Sequence, residues 1–150
     1  MSLKVPKKKV PLTVNFLGEK NIRGNIFLSS QSPFRYGEEL VIDLLNEKEP
    51  FFPFEIEDPP SIRIINKNNI VSVTTSEDLK PEETVGKKKK ITAMLTNGRE
   101  LSGELIIDQP EHKSRVLDFL NAEEKVFFRL LKGPEVHYIN INHVGQIIPS

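Results

Sequence analysis

Cysteine is missing altogether from this sequence of 150 residues. Its absence excludes a disulfide scaffold, a Cys-ligated zinc or iron–sulfur centre and any thiol chemistry. Long apolar runs are missing too. The longest span four or five residues, so the sequence contains neither a transmembrane helix nor a secretory core. Net charge is also absent: 21 Lys and Arg balance 21 Asp and Glu, giving a pI of 6.9. A dedicated polyanion-binding domain usually has a pI above about 9. Nor are there catalytic signatures such as Gly-x-Ser-x-Gly, a phosphate loop, His-Glu-x-x-His or Gly-x-Gly-x-x-Gly. Paired acids such as Glu38-Glu39 and Glu123-Glu124 read as solvated faces. With 37% hydrophobic and 28% charged residues, the composition is that of a folded chain. The expectation is a soluble, cytoplasmic, non-enzymatic protein that needs no cofactor.

What the sequence does contain is a repeat. Pro11 to Phe16 and Ile22 to Ile26 align with Lys90 to Leu95 and Leu101 to Leu105 at an offset of 79, setting Gly24 on Gly103. Asp43-Leu44-Leu45-Asn46 aligns with Asp118-Phe119-Leu120-Asn121 at 75. Phe51-Phe52-Pro53-Phe54 aligns with Phe127-Phe128-Arg129-Leu130 at 76, and Ile65 to Ile70 with Ile139 to Val144 at 74. Chance similarity would not keep four blocks in order. The repeat predicts an arm over 1–8, a first unit over 9–74, an exposed linker over 75–86 and a second unit over 87–150.

Within each unit strand signals dominate. Leu12, Val14 and Phe16 alternate with polar residues, as do Ile22, Gly24, Ile26 and Leu28, which predicts a half-buried hairpin. In the second unit Asn97-Gly98 is the strongest short hairpin signal, because both positions tolerate positive φ. Gly24 and Gly103 inside the second strand predict a bend or a close backbone approach. Over Glu38 to Asn46 and Ser114 to Asn121 the period becomes helical, with Ser114 as N-cap. Three short apolar runs follow in each unit. The fold class is therefore mainly β, β-β-α-β-β-β per copy, as two small Sm-like or SH3-like barrels.

The stretch from Ile91 to Leu105, with its Asn97-Gly98 turn and Gly103, resembles the first motif of Sm-like proteins. Ile139 to Ile147 loosely resembles the second. Where Sm-like RNA pockets carry an Arg-Gly pair, this chain has Ile65-Asn66 and Ile139-Asn140. Asp118-x-x-Asn121 also lies well past Gly103, in the predicted helix. Each half further resembles an uncharacterised family of small bacterial domains. Its pattern is a glycine hairpin, Asp-Phe-Leu-Asn, an aromatic pair and φ-Asn-x-x-His-φ. These motifs imply a fold and carry no activity with them.

Candidate site residues fall into four groups. Lys7, Lys8 and Lys9, like Lys87, Lys88, Lys89 and Lys90, precede or begin the first strand of a copy. They could neutralise phosphates, or simply guard a strand against edge pairing. Phe51, Phe52, Phe127 and Phe128 could form a docking patch or pack in the core, since a consecutive pair cannot both face inward in a flat strand. His112, His137 and His143 lack the spacing of a zinc site. Asn46 and Asn121 read as left-handed helix caps rather than ligand contacts. Together these features favour a protein-interaction module whose partner is another protein. The alternative is an Sm-like binder of RNA or single-stranded nucleic acid.

Overall fold

The computed structural model describes residues 7–18, 20–32, 37–76, 79–108, 115–122 and 125–150. Ten strands form one antiparallel sheet. In the first half they are β1 (Lys7–Phe16), β2 (Asn21–Ser29), β3 (Phe51–Glu57), β4 (Pro60–Asn66) and β5 (Ile70–Thr75). The second half supplies β6 (Lys87–Leu95), β7 (Glu100–Ile107), β8 (Phe127–Lys132), β9 (Glu135–Asn140) and β10 (Val144–Pro149). Helix α1 (Val41–Asn46) precedes β3 and α2 (Val116–Leu120) precedes β8. The predicted mainly β class and the β-β-α-β-β-β sequence of elements are what the structure shows.

Strand order across the sheet is β10-β6-β7-β8-β9-β5-β1-β2-β3-β4. Each half thus has its fifth strand beside its first, and the halves meet where β9 pairs with β5. The sheet is continuous and open, not two separate closed barrels. The reason lies in the register: Ser72, Val73, Thr74 and Thr75 pair with Ile139, Tyr138, His137 and Val136, so the backbone groups of β5 are satisfied across the boundary.

Sharp corners fall where the glycines predict them. β2 and β3 share a single pair, Asn25↔Glu55, and β7 and β8 share only Glu104↔Leu131. Beside each crossing sits a glycine. A Cβ on Gly24 would collide with the Glu55 carbonyl oxygen and lie 2.7 Å from the Phe54 ring. One on Gly103 would collide with the Leu131 carbonyl oxygen and lie 2.9 Å from Leu130 Cγ. The absent side chain lets one strand cross closely over another. Curling at these corners produces two buried apolar clusters. The first includes Val10, Leu12, Val14, Ile26, Leu45, Phe54 and Val73; the second includes Ile91, Ala93, Leu105, Phe128, Leu130 and Ile139.

Several boundaries differ from the sequence reading. β1 starts at Lys7, inside the predicted arm, and pairs Lys7 with Ser29; residues 1–6 lie outside the described residues. Helix α1 starts three residues later than predicted because Glu39 is drawn off the helix, its Oε1 accepting from Ser29 N at 2.9 Å. Asp43 Oδ2 then accepts from Leu40 N at 2.8 Å and closes the first turn. The predicted cap Ser114 lies outside the described residues, and Arg115 precedes α2. The segment predicted as an exposed linker is anchored: Glu83 is buried and takes 2.7 Å and 2.9 Å hydrogen bonds from Arg129 Nη1 and Lys80 N.

Candidate interaction edges

Where the halves meet, side chains cross over. Phe127, Val136 and Tyr138, all from the second half, are buried in the first half's cluster. Val71 from β5 is buried in the second. Each large side chain hidden this way contributes roughly 1.5–3 kcal/mol. Polar groups complete the seam. Asn46, the last residue of α1, accepts at Oδ1 from Val126 N (3.0 Å) and Phe127 N (2.7 Å), and donates from Nδ2 to Phe127 O at 3.1 Å. Asn140, fully buried, donates to Ile70 O at 2.9 Å and Lys67 O at 3.3 Å. His143 Nε2 lies 2.9 Å from Asn68 O.

His137 sits inside this seam. Its Nδ1 is 3.1 Å from Thr74 Oγ1, whereas buried Nε2 makes no hydrogen bond and stands 3.9 Å from Glu135 Oε1. Burial pushes its pKa below the ordinary histidine value, against the opposing pull of Glu135. His112 lies outside the described residues. Among the described residues no cluster of His, Asp and Glu could hold a metal ion.

The sheet's two ends, β4 and β10, are the counterparts of the two seam strands. Ile62 corresponds to Val136 and Ile64 to Tyr138 by the repeat, yet Ile62 and Ile64 are 55% and 67% exposed against 5% and 2%. Phe51, counterpart of Phe127, is 52% exposed against 0%. On the other end Ile148 is exposed, and so is Leu117 on α2. Three of the seven large apolar side chains exposed among the described residues, Ile62, Ile64 and Ile148, therefore lie on the two end strands, with Phe51 on the adjoining β3.

The four phenylalanines singled out in the sequence separate accordingly. Phe52 packs in the first cluster and Phe128 in the second, while Phe127 lies in the first, near α1. Both members of the second pair are buried because β8 has a core on each face. Phe51 alone of the four is on the surface. The lysines are not brought together: β7, β8, β9 and β5 lie between Lys87–Lys90 on β6 and Lys7–Lys9 on β1. All seven are exposed. Lys9 Nζ lies 3.0 Å from Glu55 Oε1. Strand β5 pairs with β1 only from Thr13 onward, and β10 with β6 only from Ile91 onward. Lys7–Lys9 and Lys87–Lys89 occupy the stretch of strand past the neighbour's reach, which is where lysine guards an edge, while Lys90 O accepts from Ser150 N at 3.1 Å.

Beside the seam an open groove of about 880 Å³ is lined by α1's end, Pro50, Lys67, Asn68, Lys125 and Val126. Of its three lysines, Lys48, Lys67 and Lys125, the last two are engaged by the protein. Lys67 Nζ donates to Glu47 O at 2.9 Å; Lys125 Nζ donates to Phe119 O at 3.0 Å and stands 3.5 Å from that ring's centroid. Burial lowers the pKa of both.

Asn46 and Asn121 depart from the predicted left-handed caps. Asn46 is still inside α1 with Glu47 following in extended conformation, and Asn121 has φ −87° and ψ −1°. No described helix is long and apolar enough to cross a membrane. No known protein family, curated protein or solved structure matches this chain.

Proposed function

We propose that the chain is a non-enzymatic, cytoplasmic scaffold that binds protein by adding strands at the ends of its sheet. The two halves are read as copies of one small module of Sm-like or SH3-like strand order, joined at the seam into one open sheet. Their common strand order and the paired glycine corners support that reading. One observation carries the function: β4 presents Ile62 and Ile64 outward on an unpaired edge. Such an edge offers backbone hydrogen bonds for affinity and side-chain pockets for specificity, and soluble proteins otherwise blunt it with charge or proline. The lysines, separated in space and placed where edges need guarding, do not favour a phosphate track.

A photoreactive phenylalanine analogue in place of Ile64, irradiated in the native cell, should yield covalent adducts with protein. Adducts with RNA, or none, would overturn the scaffold reading. In parallel, RNA mobility shifts at physiological salt should be absent. Micromolar RNA binding that is lost in a variant with Lys87, Lys88, Lys89 and Lys90 all changed to Gln would establish the nucleic-acid alternative, since each lost phosphate contact flattens the salt dependence.

A further inference from the structure

The partner's chemistry can be read from the seam itself. We infer that the sheet ends bind each other, β4 of one molecule pairing with β10 of the next, so that identical chains assemble head to tail. This rests on the scaffold reading above and names its partner as a second copy of this chain.

The internal seam has a giving side and a receiving side. The giving side is β8 and β9 of the second half, with Phe127, Val136 and Tyr138. The receiving side is β5 with α1 and its Asn46. In the free chain each side has an unused counterpart. The giving counterpart is β3 and β4 of the first half, with Phe51, Ile62 and Ile64 exposed. The receiving counterpart is β10 with α2, where Ile148 and Leu117 are exposed and Asn121 stands in Asn46's place.

Hairpin registers show that these counterparts are geometrically equivalent. Phe51 pairs with Asn66 and Phe52 with Ile65, just as Phe127 pairs with Asn140 and Phe128 with Ile139. The turn after each hairpin is alike too: Asn66 Oδ1 accepts from Asn68 N and Asn140 Oδ1 from Asn142 N, both at 2.9 Å. Carrying the seam's register onto the ends pairs Gln146, Ile147, Ile148 and Pro149 with Ile65, Ile64, Arg63 and Ile62 of the neighbour. Asn66 would then reach the carbonyls of Ile141 and Val144, as Asn140 reaches those of Lys67 and Ile70. Pro149, standing where Thr75 does, removes one donor from the end of that ladder. The joint between molecules is accordingly weaker than the joint within one.

Because the two sides differ, the contact is heterologous. A repeated step of this kind continues until rotation closes it into a ring, or without limit as a fibre. A monomer would leave Phe51, Ile62 and Ile64 in water, although the seam covers their equivalents Phe127, Val136 and Tyr138.

The experiment uses the intact chain. Light scattering during gel filtration should give a mass above the 17.1 kDa of one chain at concentrations up to about 100 µM, where a micromolar interface is saturated. Ile64→Lys disables the giving edge and Ile148→Lys the receiving edge; both positions are exposed, so folding is checked by circular dichroism and should be unchanged. Each variant alone should be a monomer. Mixed, they should form a species of two chains, because one live edge of each kind remains. Overturning results are a monomeric parent, a variant that still self-associates, or a mixture that stays monomeric. If the parent is monomeric while position 64 still captures other proteins in cells, only this inference falls and the scaffold reading stands.

Discussion

Asn46 grips Phe127 by both of its peptide groups, its Oδ1 2.7 Å from the amide nitrogen and its Nδ2 3.1 Å from the carbonyl oxygen. A residue at the end of one half's helix thereby fixes where the other half's strand β8 begins. The pairing at 75 and 76 residues' distance in the repeat would put Asn121 opposite Phe51 of a neighbouring molecule, where the head-to-tail contact needs a clamp.

Asn46→Ala should destabilise the chain by about 1–3 kcal/mol, because three hydrogen bonds are lost and the amides of Val126 and Phe127 are left without a partner. Urea denaturation would measure it. Asn121→Ala should leave the stability of a dilute monomer unchanged, and equal effects from both variants would contradict the proposed division between inner and outer joints.

Gly103→Val should cost about 2–3 kcal/mol or more, since the new side chain meets Leu130 and the Leu131 carbonyl at a crossing with no room to spread. Gly98, with φ +88° and open space around it, tests backbone freedom instead. There Gly98→Ala should cost about 1 kcal/mol, through the left-handed conformation alone. A Gly103→Val melting curve matching the parent's would show that no close approach exists.

Acid should loosen the internal seam through His137. Its ordinary pKa of 6.5 applies to the unfolded chain, and burial lowers the folded value, with Lys132 and Arg99 adding to the shift and Glu135 opposing it. The unfolded chain therefore takes up the proton first. Stability is complete above pH 6.5 and falls as the pH drops from there through the folded value, with a slope of at most about 1.4 kcal/mol per pH unit. His137→Gln should flatten that part of the curve below pH 6.5. An unchanged slope in the variant would assign the acid sensitivity to other groups.

Much of the local structure was legible in the chain because it rests on short-range chemistry. Alternation at Leu12, Val14 and Phe16 makes strands, Asn97-Gly98 makes a turn, and the period change at Leu44 and Leu45 makes a helix. The matched glycines even marked the two corners of the sheet. Joining was another matter. Val136-His137-Tyr138-Ile139 and Ile62-Arg63-Ile64-Ile65 are alike in pattern, yet one is sealed between two cores and the other lies on an open edge. Nothing local separates them, because burial depends on what the far end of the chain brings alongside. The same holds for Asn46, whose side chain serves a strand 80 residues away rather than its own helix, and for Phe127 and Phe128, which are both buried only because β8 is covered on both faces. The sequence alone determined the strands, turns and corners of each half through propensity and side-chain period. Only the tertiary structure decided which of two equivalent edges is satisfied, because strand pairing between distant segments is set by whole-chain geometry and leaves one edge of each kind over.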